Sequence, residues 1–186
     1  DAVEGAAARR FGIAPRRVQQ EAWWHSYLPA PVRLTHGRRN PISAWWDGLG
    51  LEDCRSRQKF VPDAVHAAPD HQVRLFLRHL WATDGTIGID AAGKGPRVRL
   101  SYATTSRRLA DDVQRLLLRV GVQARVSVVP QGDHHPLHQV RVDGVTNQRR
   151  FLEEVGIHGR RGQLVGPALE ALAEVTANPN VDTIPW

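Results

Sequence analysis

Asp70-His71-Gln72-Val73-Arg74-Leu75-Phe76-Leu77-Arg78-His79-Leu80-Trp81-Ala82-Thr83-Asp84-Gly85 is the stretch on which the fold turns. Val73, Phe76, Leu77, Leu80 and Trp81 recur at helical spacing, which makes one continuous apolar stripe. Asp70 follows a proline and is placed to cap the N-terminus. The stripe stops at Ala82-Thr83-Asp84-Gly85, where a glycine closes the helix. The spacing predicts a buried helix over 70–82.

Downstream, Thr86 to Ile89 is short and β-prone, and Ala91 to Pro96 is a turn cluster. Arg97-Val98-Arg99-Leu100-Ser101-Tyr102 alternates basic or polar with apolar residues, so one strand face is wet and cationic while the other packs. Thr105 or Ser106 caps a second helix with the stripe Leu109, Val113, Leu116, Leu117 and Val120, stopped by Gly121. Strands are expected at Ala124–Val129 and Leu137–Val142, joined by a polar tip from Gln131 to Pro136. A helix from Asn147 carries Phe151, Leu152 and Val155 and ends at Gly156. A last helix spans Pro167–Thr176, before an irregular tail from Asn178 to Trp186. From Asp70 to Gly156 the order is helix, two strands, helix, two strands, helix.

The first third repeats part of that order. Ala2 to Phe11 is a helix stopped by Gly12, as Asp111 to Val120 is stopped by Gly121. Ile13 to Val18 parallels Val122 to Val126 with one insertion. Trp45-Trp46-Asp47-Gly48-Leu49-Gly50-Leu51 parallels Phe151-Leu152-Glu153-Glu154-Val155-Gly156-Ile157 without a gap. The division expected is a partial first half over 1–62, lacking its opening helix and hairpin, a complete second half over 63–165, and a terminal helix and tail over 166–186. Core packing is the expected role of Trp23-Trp24 and Trp45-Trp46, one of each pair buried. Asp133, His134, His135 and His138 straddle a Pro-containing tip and are expected to form a polar loop, not a metal cluster.

Lys and Arg outnumber Asp and Glu by 25 to 19, a net charge of +6 that suits a polyanionic partner. The single Cys54 excludes an intramolecular disulfide and a zinc site built on several cysteines, and it fits a reducing compartment. No apolar run approaches the ~18 residues of a membrane span, and Asp1-Ala2-Val3 does not open a signal peptide. The expected setting is cytoplasmic and nucleoid-associated, with no membrane.

Phe76 to Gly85 resembles the LAGLIDADG motif, an apolar helix ending in an acid followed by glycine. Lys59-Phe60-Val61-Pro62 resembles the Lys-x-Ile-Pro block that precedes the second such helix in the family, and Asn40-Pro41-Ile42 through Leu51 resembles the helix leading into that block. With Thr104-Thr105-Ser106-Arg107-Arg108-Leu109, the likeness covers nearly the whole chain. It points to LAGLIDADG homing endonuclease domains of inteins in bacterial replicative DNA helicases. The resemblance implies a mixed α/β fold of two pseudo-symmetric αββαββα halves whose antiparallel strands form a DNA-binding saddle. The tail Asn178 to Pro185 resembles the return to a splicing domain of the same precursor, which is absent here, so this chain is expected not to splice.

Hydrolysis of a phosphodiester requires neutralising charge on phosphorus and the leaving oxygen, usually by divalent metal on carboxylates. Mg²⁺ (or another divalent cation) keeps several waters and takes one or two carboxylates, so one helix-end acid per site is adequate. By resemblance Asp84 is such an acid, with the Gly85 backbone beside it as a metal contact. Lys59 resembles the basic residue that approaches the active-site water or phosphate. The matching basic position of the second half falls around His158-Gly159-Arg160-Arg161, where arginine can clamp phosphate but transfers protons poorly.

Contact with double-stranded DNA, expected at the intein insertion site, should come from antiparallel ribbons in the major groove. Arg97, Arg99, Arg125, Arg141, Arg16, Arg17 and Arg33 lie on or beside predicted strands and Lys94 in a hairpin turn, with Arg160 and Arg161 beyond them. Three readings stand: a metal-dependent, site-specific DNA endonuclease, a degenerate module of the same fold that binds DNA without cutting, and a basic protein–protein adaptor. The acid of a first motif has no counterpart in the sequence, which favours binding over cutting. Asp84-Gly85 and Lys59 favour cutting.

Overall fold

The computed structural model describes residues 2–90 and 95–175. Asp1, Lys94 with most of its turn, and residues 176–186, including the tail from Asn178, lie outside the described residues. The chain divides into two units, Asp1–Asp53 and Cys54–Trp186.

In the first unit, α1 (Ala2–Phe11) ends where Gly12 takes a left-handed φ of +63° and its N–H returns to the Ala8 carbonyl at 3.1 Å. The strands β1 (Arg16–Gln19) and β2 (Trp24–Tyr27) pair antiparallel, and Gln20 N–H closes their turn on the Trp23 carbonyl at 2.8 Å. After the irregular segment 28–40, Asn40 caps α2 (Pro41–Gly48). Its side chain accepts from Ile42 N–H at 2.9 Å, with proline at the first helical position. Phe11 of α1 meets Trp45 of α2 at 5.9 Å between ring centroids.

The expected burial of one tryptophan in each pair is not met. Trp23, Trp24, Trp45 and Trp46 are 57%, 57%, 43% and 47% exposed. Every residue on the two strands of this unit is exposed or half-buried, and α2 is short. Trp46 uses its indole N–H on the Leu51 carbonyl at 2.8 Å instead of packing inward.

Residues 54–62, which the sequence assigns to the first half, pack on the second unit. There α3 (Asp63–His66) leads into α4 (Asp70–Asp84), followed by β3 (Gly85–Asp90), β4 (Arg97–Thr104) and α5 (Arg107–Arg119). Next come β5 (Arg125–Gln131), β6 (His134–Arg141), α6 (Val145–Arg150) and α7 (Val165–Ala173). The strands form one four-stranded antiparallel sheet in the order β3-β4-β6-β5. The mixed α/β class and the αββαββα order of this half are both present.

Alternation decides the faces. Val98, Leu100 and Tyr102 of β4 and Val140 of β6 turn inward and are buried. They meet Val73, Leu77 and Trp81 of α4, Leu109, Val113, Leu116 and Leu117 of α5, and Phe151, Leu152 and Val155. Trp81 is the hub: it is fully buried and lies 4.7 Å from Phe151 and 5.7 Å from Tyr102 between ring centroids. Truncating such a residue to alanine removes about 3–5 kcal/mol.

Several local expectations are corrected. Pro69, not Asp70, is the cap residue of α4; Asp70 is its first helical residue, and its carboxylate pairs with Arg119 at 3.0 Å. The helix runs on to Asp84. The tip between β5 and β6 is much shorter than Gln131–Pro136. Gly132 takes φ +57°, so a tight turn suffices, Gln131 pairs with His134, and His134, His135 and Pro136 belong to β6. Helix α6 starts at Val145, with Gln148 donating from its amide to the Val98 and Val142 carbonyls at 2.9 Å each. It widens into a π-helical turn over Phe151–Val155, closed by Gly156 N–H on the Phe151 carbonyl at 2.8 Å. The last helix covers Val165–Ala173, not 167–176, and buries Ala168 and Leu172.

Candidate acid site and nucleic-acid face

Asp84 is the last residue of α4, and its side chain is exposed at the helix C-terminus, where the helix dipole disfavours a carboxylate. Among the described residues no side chain hydrogen-bonds or ion-pairs with it. What holds it in place lies just behind. Gly85 has an ordinary φ of −76°, so the glycine is not there to reverse the chain. A Cβ at Gly85 would run into Trp81 Cδ1 and stand 2.6 Å from both Trp81 Cγ and the Trp81 carbonyl oxygen. The absence of a side chain lets the strand leave directly over the buried indole.

Gly85 is the register partner of Tyr102, a buried residue whose phenol is pushed up to about 12 by burial, with the Asp84 carboxylate adding to the shift. The end of α4 is also held by Arg161, from a 3₁₀ turn over Gly159–Leu164. Its guanidinium donates to the Ala82 carbonyl at 2.5 Å and the Thr83 carbonyl at 2.8 Å. A cation there offsets the C-terminal end of the dipole beside Asp84. Arg160 in the same turn is exposed.

Among the described residues no three His, Cys, Asp or Glu side chains gather as a metal cluster, so the acidic donor at this helix end is the single carboxylate of Asp84. Mg²⁺ needs few protein ligands beyond water and phosphate oxygens, and an exposed carboxylate with no internal partner is available to it. Asp84 and the Gly85 backbone are the residues that would hold it.

Lys59 has an exposed side chain, while its backbone is fixed. Ser106 Oγ donates to the Lys59 carbonyl at 2.6 Å and accepts from Leu109 N–H at 3.1 Å, so one hydroxyl caps α5 and pins the Lys59 segment. Two residues on, Val61 N–H donates to the buried Asp112 carboxylate at 3.1 Å, and the Arg108 guanidinium lies 4.3 Å from the Phe60 ring. No hydrogen bond or ion pair joins Lys59 to Asp84 among the described residues.

The outward face of the sheet carries the arginines. Arg97 and Arg99 are exposed on β4, Arg125 on β5 and Arg141 on β6. Arg125 and Arg141 are direct cross-strand partners, as are Ser127 and Gln139. Like charges directly opposite each other are unfavourable without an anion between them. Two of these arginines hold carboxylates: Arg99 Nε is 2.8 Å from Asp90, and Arg141 is 3.1 Å from Asp143. Gly88, the register partner of Arg99, leaves room for the guanidinium, whose Nη2 would be 3.4 Å from a Cβ there.

Three arginines stand differently from the expectation. Arg17 is on β1, but its guanidinium bonds Glu4 of α1 at 2.5 and 3.0 Å, which draws it to the helix side of that hairpin. Arg33 lies in the irregular segment 28–40, not beside a strand. Arg161 turns one guanidinium nitrogen to the carbonyls at the α4 terminus. Arg16 keeps an outward position, 4.9 Å from the Tyr27 ring.

Sequence reasoning missed the pairing of His79 with His158, whose rings lie 4.2 Å apart on the flank of α4. Burial, His79 and Arg78 together lower the pKa of His158. Only the spacing of two histidines across distant segments could have hinted at it, and that is not a usable signal.

Residues 71–156 match the family described as LAGLIDADG-like domain. The chain is 38% identical over 175 residues to the replicative DNA helicase DnaB of Synechocystis sp., covering 93% of this chain and 20% of that protein. Its identity to the replicative DNA helicase DnaB of Nostoc sp. is 40% over 175 residues, again 93% of this chain and 20% of the relative. With the replicative DNA helicase DnaB of Rhodothermus marinus it shares 40% identity over 187 residues, covering 98% of this chain and 20% of that protein. The chain thus spans about a fifth of the length of the curated relatives it matches.

Proposed function

We propose that this chain, whose residues 71–156 match a LAGLIDADG-like domain, is the DNA-binding, phosphodiester-cleaving part of an intein. The observation that carries the reading is Asp84: an exposed carboxylate held at a helix end by Gly85, Trp81 and Arg161, without a partner of its own among the described residues. A carboxylate at a helix C-terminus is opposed by the dipole, and a bound cation would offset that cost.

In this reading Arg97, Arg99, Arg125 and Arg141 take phosphates of double-stranded DNA along the outward sheet face, releasing counterions. Asp84 and the Gly85 backbone would hold a divalent cation, which when bound would supply neutralisation of charge on the phosphoryl and leaving oxygens. Lys59 approaches the phosphate or the attacking water, and Arg161 keeps the Asp84 helix end in position. The target is the intein insertion site in a replicative helicase gene, and the splicing domain of the same precursor is the partner in the chain.

A second reading is DNA binding without cleavage. Arg161 favours it, because an arginine at the basic position transfers protons poorly, and one of its terminal nitrogens already donates to the Ala82 and Thr83 carbonyls. A supercoiled plasmid bearing an uninterrupted replicative-helicase gene separates the two. Nicking that requires Mg²⁺ and disappears in Asp84→Asn supports the first reading. Retained binding with no nicks under Mg²⁺ or Mn²⁺ leaves the second, and absence of DNA binding sinks both.

A further inference from the structure

Both tryptophans of each pair, one of which the sequence expects to be buried, are on the surface, and Trp23 belongs to a row. Trp23 lies 5.4 Å from His25, and His25 stacks on Tyr27 at 4.3 Å with only 14° between planes. Arg16 completes the row over Tyr27 at 4.9 Å. Strand alternation puts Arg16, His25 and Tyr27 on one face of the hairpin and Arg17 and Ser26 on the other. Glu4 of α1 takes both Arg17 and Ser26, at 2.5 Å for the hydroxyl, so the helix lies on that second face. The aromatic row faces away from α1. Trp23 is 57% exposed and Tyr27 39%.

Exposed rings in a row, His25 and Tyr27 stacked and Trp23 tilted 42° to His25, with a guanidinium at one end, have a specific chemical complement. Flat π faces accept further flat π faces, and the cation accepts a phosphate. The outward sheet of the second unit offers guanidinium, amide and hydroxyl groups suited to phosphates and base edges. The first hairpin offers rings. We propose that the row Trp23–His25–Tyr27, ended by Arg16, is a stacking platform for nucleobases, so that the first unit engages DNA at unstacked or unpaired bases. Trp23, at the turn, is the ring positioned to enter first, in the manner of apolar wedges that kink a duplex. The proposal rests on the DNA-binding reading above and adds the class of DNA feature recognised.

The test compares a paired duplex with the same duplex carrying a two-base bulge, with 2-aminopurine in the bulge, using the full chain. The expected result is about tenfold tighter binding of the bulged form, the effect of stacking roughly one base, with quenching of 2-aminopurine. Trp23→Ala/Tyr27→Ala should lose that preference while still binding the paired duplex. Trp23→Phe/Tyr27→Phe should keep it, which controls for folding. Arg97→Ala/Arg99→Ala should weaken both forms alike. Equal binding of the two forms by the unaltered chain, or a preference that survives Trp23→Ala/Tyr27→Ala, overturns the platform while leaving the DNA-binding reading in place. Loss of self-association in the double alanine variant with DNA preference unchanged overturns it in favour of a protein contact. Failure to bind any DNA removes both readings together.

Discussion

The guanidinium of Arg161 and the carbonyl of Ala82 are 2.5 Å apart across 79 positions of sequence, and this bond fixes the last turn of α4 just ahead of Asp84. Arg161→Ala should therefore cost about 1–3 kcal/mol of stability, the worth of the two guanidinium–carbonyl bonds lost. It should also slow nicking through kcat more than through KM. Thermal unfolding and single-turnover cleavage measure the two effects. A variant with normal stability and weakened DNA binding would make Arg161 a phosphate contact instead.

Asp84→Asn should abolish nicking and leave salt-dependent DNA binding intact, because the amide keeps the shape and loses the charge. It has a second readout without DNA. Tyr102, held near 12 chiefly by burial and then by Asp84, should titrate at lower pH in the variant, seen as phenolate absorbance. The phenol's folded pKa is raised, so its contribution to stability is full below the ordinary tyrosine value of 10.0 and fades as pH climbs toward about 12. An unmoved Tyr102 titration would mean that Asp84 points away from the sheet.

Gly85→Ala tests close approach against chain reversal. Its φ is one any residue adopts, yet the added Cβ meets both the backbone carbonyl and the indole Cγ of Trp81 at 2.6 Å. The loss should be about 3 kcal/mol, the upper range for overpacking. Chemical denaturation gives the number, and a neutral result would refute the packing account.

Replacing Arg97 and Arg99 by alanine should lower the slope of log K against log salt by about 0.9 for each phosphate no longer neutralised. A variant that binds weakly with the original slope would place these arginines on bases.

His158, its pKa lowered by burial, His79 and Arg78, gives an acid limit. The neutral ring is favoured in the folded chain, so stability present above the ordinary value of 6.5 is lost as pH falls through the lowered one. His158→Gln should flatten that part of the stability profile in denaturant melts from neutral pH down into the acid range. An unchanged profile would assign the acid limit to another group.

Much of the second half is legible from its hydrophobic period, because Val73, Leu77 and Trp81 bury one stripe as the spacing demands. The strand faces follow from alternation in the same way. What escapes is set by pairing at a distance. Phe151, Leu152 and Val155 satisfy an α-helical or a π-helical turn equally, and only the Gly156 bond to Phe151 decides. Gly132 can end a tip early, but composition does not say where pairing resumes. The tryptophans defeat the sequence reading because apolar content signals burial only where a packed layer receives it; α1 meets the hairpin through the polar contacts of Glu4, and neither strand nor α2 buries a residue. At the acid site Asp84 is legible from its motif. Arg161 as its support is not, since nothing local ties residue 161 to residue 82.

Asp90 and Asp143 have a consequence for selectivity. Each occupies an outward arginine, Arg99 or Arg141, through an exposed ion pair, and such pairs contribute at most about 1 kcal/mol. They are built-in rivals of a polyanion: a phosphate that takes Arg99 or Arg141 competes with a carboxylate already seated. That toll is small for a ligand that meets the whole sheet at once and proportionally larger for one that touches a single strand. The surface thus discourages casual electrostatic encounters, and neutralising Asp90 would make it stickier and less discriminating.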